Sequence, residues 1–85
     1  MNENRMERLR AVKNAYEAEL MRKANVVGVG IGLRRRGGHE TGEPAIIVSV
    51  TKKVPLAQLS PYDVIPPELD GMPVDVQAVG EVKAL

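Results

Sequence analysis

The chain has 85 residues, a formal net charge of +1 and no cysteine. That length predicts one domain, close to the size where a lone hydrophobic core is marginal. The absent thiols exclude a disulfide framework, a cysteine-ligated zinc site and thiol chemistry, and the balanced charge argues against a dedicated nucleic-acid binder.

Hydrophobic residues make up 44% of the chain, with no Phe and no Trp, so the core must be aliphatic and without aromatic anchors. A core this small gains from oligomerisation. The first twenty residues are charged throughout and contain no apolar stretch of the kind a signal peptide needs, and no apolar run reaches a membrane span. The expected location is the cytoplasm.

Residues 4–24 read as a helix. Asn4 and Glu7 have capping-box spacing, and Leu9, Val12, Tyr16 and Leu20 recur at helical intervals as one apolar stripe, which Met6 and Ala24 extend. Asn25 is the expected stop. Residues 26–33 alternate with period two: Val27, Val29, Ile31 and Leu33 on one face, Gly28, Gly30 and Gly32 on the other. A glycine face invites close approach by another element, and the preceding helix is the expected occupant. On that reading Gly30→Val would overpack the fold.

Residues 34–43 read as a mobile polar loop that carries Arg34, Arg35 and Arg36, and 45–52 as a second strand, giving an antiparallel hairpin. Ser60, Pro61 and Asp63 mark the start of a short helix that Pro66 and Pro67 end, with Leu56 and Leu59 expected to plug a core edge. Asp70 and Gly71 mark a turn. Residues 73–79 read as a third strand, with Val74, Val76 and Ala78 on one face and Asp75 and Gln77 on the other; 80–85 continue it or form a tail. The expected fold is therefore α+β, an N-terminal helix packed on a small, mainly antiparallel three-stranded sheet in the order α-β-β-α-β. As one domain, 1–85, it divides into an amphipathic helix (1–25), a hairpin with a basic loop (26–53, loop 34–43), and a short helix with the third strand (54–85).

Several segments, among them Asn25-Val-Val-Gly-Val-Gly-Ile-Gly, Gly42-Glu-Pro-Ala-Ile-Ile-Val, Lys52-Lys-Val-Pro-Leu and Leu69-Asp-Gly-Met-Pro-Val-Asp-Val, resemble a small bacterial accessory module found directly before trypsin-like serine peptidase domains. The resemblance covers roughly residues 18–80. It implies a compact accessory domain whose catalytic residues belong to the neighbouring peptidase, so none is carried over to this chain.

The residues themselves point away from catalysis. The Gly28-x-Gly30-x-Gly32 run has Leu33 where a dinucleotide fingerprint needs its third glycine, and no helix follows to hold a pyrophosphate. His39, the single histidine, sits with Glu40 and Glu43 in the expected loop, a poor platform for a metal. Neither Ser49 nor Ser60 lies in a nucleophile elbow. Arg34, Arg35 and Arg36 form the one cationic run, with no aromatic interleaved for stacking on single-stranded nucleic acid. The expected catalytic, cofactor and metal residues are therefore none, and the expected interaction residues are Leu9, Val12, Tyr16, Leu20, Arg34, Arg35 and Arg36. The expected function is a non-enzymatic interaction or assembly module, self-associating or bound to a larger protein partner. A regulatory accessory subunit of a trypsin-like peptidase, and a weak nucleic-acid or phosphate binder through the arginines, are the alternatives.

Overall fold

A computed structural model of the chain describes residues 3–80. It is α+β, with helix α1 (Glu3–Met21) packed on a four-stranded mixed, mostly antiparallel sheet of β1 (Val26–Arg36), β2 (His39–Val50), β3 (Glu68–Leu69) and β4 (Met72–Ala78). The spatial order is β1-β2-β4-β3, with β4 parallel to β2 and the other two pairings antiparallel. The expected three strands are four because β3, two residues long, folds back on Met72 and Pro73 across the anticipated turn. Asp70 and Gly71 there have φ of 48° and 81°, the double positive φ of a tight hairpin turn.

The helical stripe works as its spacing predicts. Leu9, Val12 and Leu20 are buried and join Ile46, Val48, Val50, Met72 and Val74 in the core, with Tyr16 packed at its margin. On the exposed side Lys13 pairs with Glu17 one turn on, at 3.0 Å. The helix begins at Glu3, which places Asn4 inside it and not at its cap, and it ends at Met21. Asn25 makes the turn into β1 with φ 68°, a left-handed conformation that asparagine tolerates better than most residues.

The helix does not cover the glycines. It packs on the opposite face of the sheet, where Val26, Val29 and Ile31 meet the core. Burying branched aliphatic surface there gains about 25 cal/mol per Å², and glycines offer no such surface. The alternation is also broken once: Val26 pairs with Val50 and Gly28 with Ser49, leaving Val27 as the extra residue of a bulge. Val26 therefore takes the core position expected for Val27, and Val27 is 42% exposed.

The expected loop over 34–43 is strand. β1 and β2 run on to Arg36 and His39, joined by Gly37 and Gly38 with φ of 58° and 82°. Two adjacent glycines make the two-residue turn that matches strand twist. The surplus residues are absorbed in β2 by a second irregularity, where Gly42 has φ 82° and the Thr41 hydroxyl donates to the Arg34 carbonyl and accepts from the Glu43 N–H.

The connection from β2 to β4 contains two short 3-10 turns, Leu56–Gln58 and Pro61–Asp63, where a single short helix was expected. Ser60 is the cap residue of the second, but its hydroxyl donates to the Asp63 carboxylate (3.0 Å) and makes no bond to the backbone. Leu59 is half-buried; Leu56, expected in the core edge, is 71% exposed because the first turn holds it outward. The connection is tied at its middle to the residues that follow α1, and at its far end to α1 itself. Asp63 accepts the Ala24 N–H at 2.9 Å, and the Lys23 ammonium donates to the Tyr62 carbonyl while lying 5.1 Å from the Tyr62 ring centre. Arg8 donates to the Asp70 carbonyl and the Tyr16 hydroxyl to the Asp70 carboxylate, and that hydrogen bond, with the negative charge of its acceptor, raises the Tyr16 pKa. Asp63→Ala should cost about 1 kcal/mol through the lost bond to the helix end. An unchanged urea midpoint would show that Asp63 does not anchor the connection.

On β4 the expected faces hold: Val74 and Val76 turn to the core, and Asp75 and Gln77 to the opposite side. Ala78 is exposed, as is Val79, whose N–H reaches the Val50 carbonyl at 2.8 Å. The expectation for 80–85 falls almost wholly outside the described residues.

Candidate interaction surfaces

The glycines floor a concavity instead of a helix seat. Gly28, Gly30 and Gly32 face it together with Ile47, Ser49 and Gln77. A side chain added at Gly30 would meet nothing within 4 Å, and one at Gly28 only Ser49 at 3.7 Å. The close approach expected of this face occurs only at Gly32, where a Cβ would stand 3.0 Å from Ile47 Cγ1. Overpacking at Gly30 is thus withdrawn, because that part of the face is open.

The concavity is produced by curl. β1 and β4 flank β2 and are separated by two strand spacings, about 10 Å in a flat sheet. Nonetheless Asp75 accepts the Arg35 N–H at 2.9 Å, and Gln77 donates to the Leu33 carbonyl at 3.3 Å. A second bond from Gln77 to Asp75, 3.0 Å, fixes both side chains. The far end of β1 therefore bends over β2 towards β4, above Ala45, which is fully buried. Small residues at Gly32 and Ala45, directly paired, leave room for that bend.

At the other edge of β1 no strand pairs among the described residues. β1 is a terminal strand of the sheet, and its backbone is bonded to β2 and, at Leu33 and Arg35, to β4 side chains. From 26 to 33 it carries none of the lysines or prolines that commonly blunt an edge. Val27 and Leu33, 42% and 40% exposed, stand near the two ends of this stretch.

The other residues singled out in the sequence are dispersed. Leu9, Val12 and Leu20 are spent within the chain's own core, which removes them from any external surface, and Tyr16 is held by Asp70. Arg34 pairs with Glu43 at 3.0 Å; Arg35 and Arg36 are exposed on a strand end, not on a mobile loop. His39 pairs with Arg36 at the hairpin tip, ten residues along β2 from Ser49, which is roughly 30 Å of strand. Ser60 is engaged by Asp63. Among the described residues no group of three or more histidines and carboxylates stands where it could hold a metal ion. No described helix is long and apolar enough to cross a membrane.

A small sheet implies an uncovered edge, but the sequence does not assign it to β1, because period two alone cannot say which strand ends a sheet. The pairing of Asp75 and Gln77 with β1 was equally invisible, since it depends on curl.

The family whose model matches this helix-on-sheet domain is an accessory module of unclear function. The chain belongs to the NARROW LEAF 1 N-terminal domain family, whose model matches residues 6–82. NARROW LEAF 1 is a plant protein with a trypsin-like peptidase-related region, so the peptidase-associated part of the expected resemblance stands, and its bacterial part has no support in the match. No curated protein matches the chain.

Proposed function

We propose that this domain is a non-enzymatic assembly module that pairs the free edge of β1 with β1 of a second copy. The edge from 26 to 33, which carries no lysine or proline although it is bulged at Val27, supports the reading. Antiparallel pairing centred on Gly30 sets exposed Val27 opposite Leu33 of the partner subunit, and Gly28 opposite Gly32 of the partner subunit. The arginine runs then fall at opposite ends of the joint, away from each other. A two-fold joint of this sort is closed and satisfies both edges at once. With the helical stripe buried in the chain's own core, self-association is left to a sheet edge alone.

Light scattering over a concentration series should give a dimer. Val27→Lys combined with Leu33→Lys places charges on an exposed edge and should weaken dimerisation at least tenfold, with the circular dichroism spectrum preserved. A monomer at high micromolar concentration, or a dimer indifferent to both lysines, overturns the reading.

The family match favours a second role for the same module, as an accessory unit beside a trypsin-like region. Chemistry would then reside in that region, and this domain would position or regulate it. Binding of nucleic acid through the arginines is less supported, because Arg34 is already neutralised by Glu43.

A further inference from the structure

Beneath the connection between β2 and β4 lies an apolar cavity of about 230 Å³. Its walls are Val50, Val54, Leu59, Ile65 and Val76. At the rim stand Lys52 and Lys53, both exposed, with no hydrogen bond or ion pair among the described residues. Asp63, the carboxylate at the same rim, is committed: one oxygen accepts the Ala24 N–H and the other the Ser60 hydroxyl. The cavity thus joins an aliphatic interior to a rim of net positive charge, two exposed lysines beside one carboxylate that is bonded to Ala24 and Ser60. Its walls are held in place, since the same Asp63 and Lys23 bonds tie the connection to the end of α1.

We propose that this cavity docks an acidic peptide segment of a partner protein, one aliphatic side chain entering the cavity and flanking carboxylates meeting Lys52 and Lys53. The occupant follows from size and charge. Pockets that enclose a whole small-molecule ligand run to about 300–1,000 Å³, and this one is smaller, suited to a single side-chain anchor. Such an anchor in a desolvated pocket supplies most of the affinity in peptide recognition. The lysines select the sign of its neighbours, because carboxylates on either side of the anchor meet ammonium groups that no described residue pairs. Exposed Leu56, also at the cavity, extends the apolar rim over which the peptide backbone lies. This site does not depend on the pairing of β1.

The test is an amide-shift titration of the isotope-labelled chain with a blocked pentapeptide, a leucine between two pairs of glutamates. Shifts should concentrate at Val54, Leu59 and Ile65. Affinity should fall about tenfold when the peptide leucine becomes serine, and about tenfold in the Lys52→Glu, Lys53→Glu double variant, whose spectrum also reports that it remains folded. Equal binding of the serine peptide would reduce the interaction to unspecific charge and overturn the proposal. So would undiminished binding by the double variant, absence of shifts, or binding of phosphatidylserine vesicles without binding of the peptide.

Discussion

Leu9→Ala is expected to remove about 2–5 kcal/mol of folding stability. Leu9 is fully buried, near the N-terminal end of the α1 stripe, in a core that also holds Ile46, Val48 and Met72. Truncation leaves a cavity facing strands that cannot collapse into it without breaking their pairing. Alanine is the best helix former, so helix propensity does not contribute to the loss. A domain of this size has a total stability on the order of 4–13 kcal/mol, which makes the change a large fraction of the whole. Thermal midpoints should drop by on the order of 10–30 °C. Leu56→Ala, at a site 71% exposed, is the control and should stay within about 0.5 kcal/mol. Equal midpoints for the two variants would mean that α1 does not pack on the sheet through this stripe.

Gly32→Val should destabilise the fold by about 1–3 kcal/mol, and Gly30→Val should not. The two glycines are two residues apart on one strand face and look identical in sequence. At Gly32 the new Cβ would lie 3.0 Å from Ile47 Cγ1, an atom whose position is held by the stiff χ1 of a β-branched side chain. At Gly30 the new side chain meets nothing within 4 Å, and a strand position gains on losing the backbone freedom of glycine, by about 0.5–1 kcal/mol. Chemical denaturation of the two variants side by side decides the matter. Destabilisation by both would show that the concave face is covered; tolerance of both would show that Ile47 of β2 does not crowd Gly32. Because Gly30 is the centre of the proposed joint, its variant also reports whether a side chain there disturbs dimerisation without disturbing the fold.

Much of this fold was legible along the chain because it rests on local periodicity. The interval between Leu9, Val12, Tyr16 and Leu20 specified the buried face of α1, and the alternation from Val74 to Gln77 specified the two faces of β4. Asp70 and Gly71 marked their turn because few residue pairs accept two positive φ values in succession. Gly37 and Gly38 carried the same signal, but it was outweighed by the polar residues around them. Strands that project past the core bear charges on both faces, and composition then imitates a loop.

Sequence by itself determined the fold class, the aliphatic core, the buried faces of α1 and β4 and the position of one hairpin turn, since each follows from residue spacing and side-chain chemistry within a few neighbours. Only the tertiary structure decided which face of β1 receives the helix, where Val27 breaks the register, that β4 runs parallel to β2, and which strand is left as an edge. It also decided that Lys52 and Lys53 border an aliphatic cavity, since Val50, Ile65 and Val76 meet there from segments far apart in the chain. The physical reason is the same in each case. These features depend on the area buried between distant segments and on the curl of the whole sheet, and neither quantity is carried by any local run of residues.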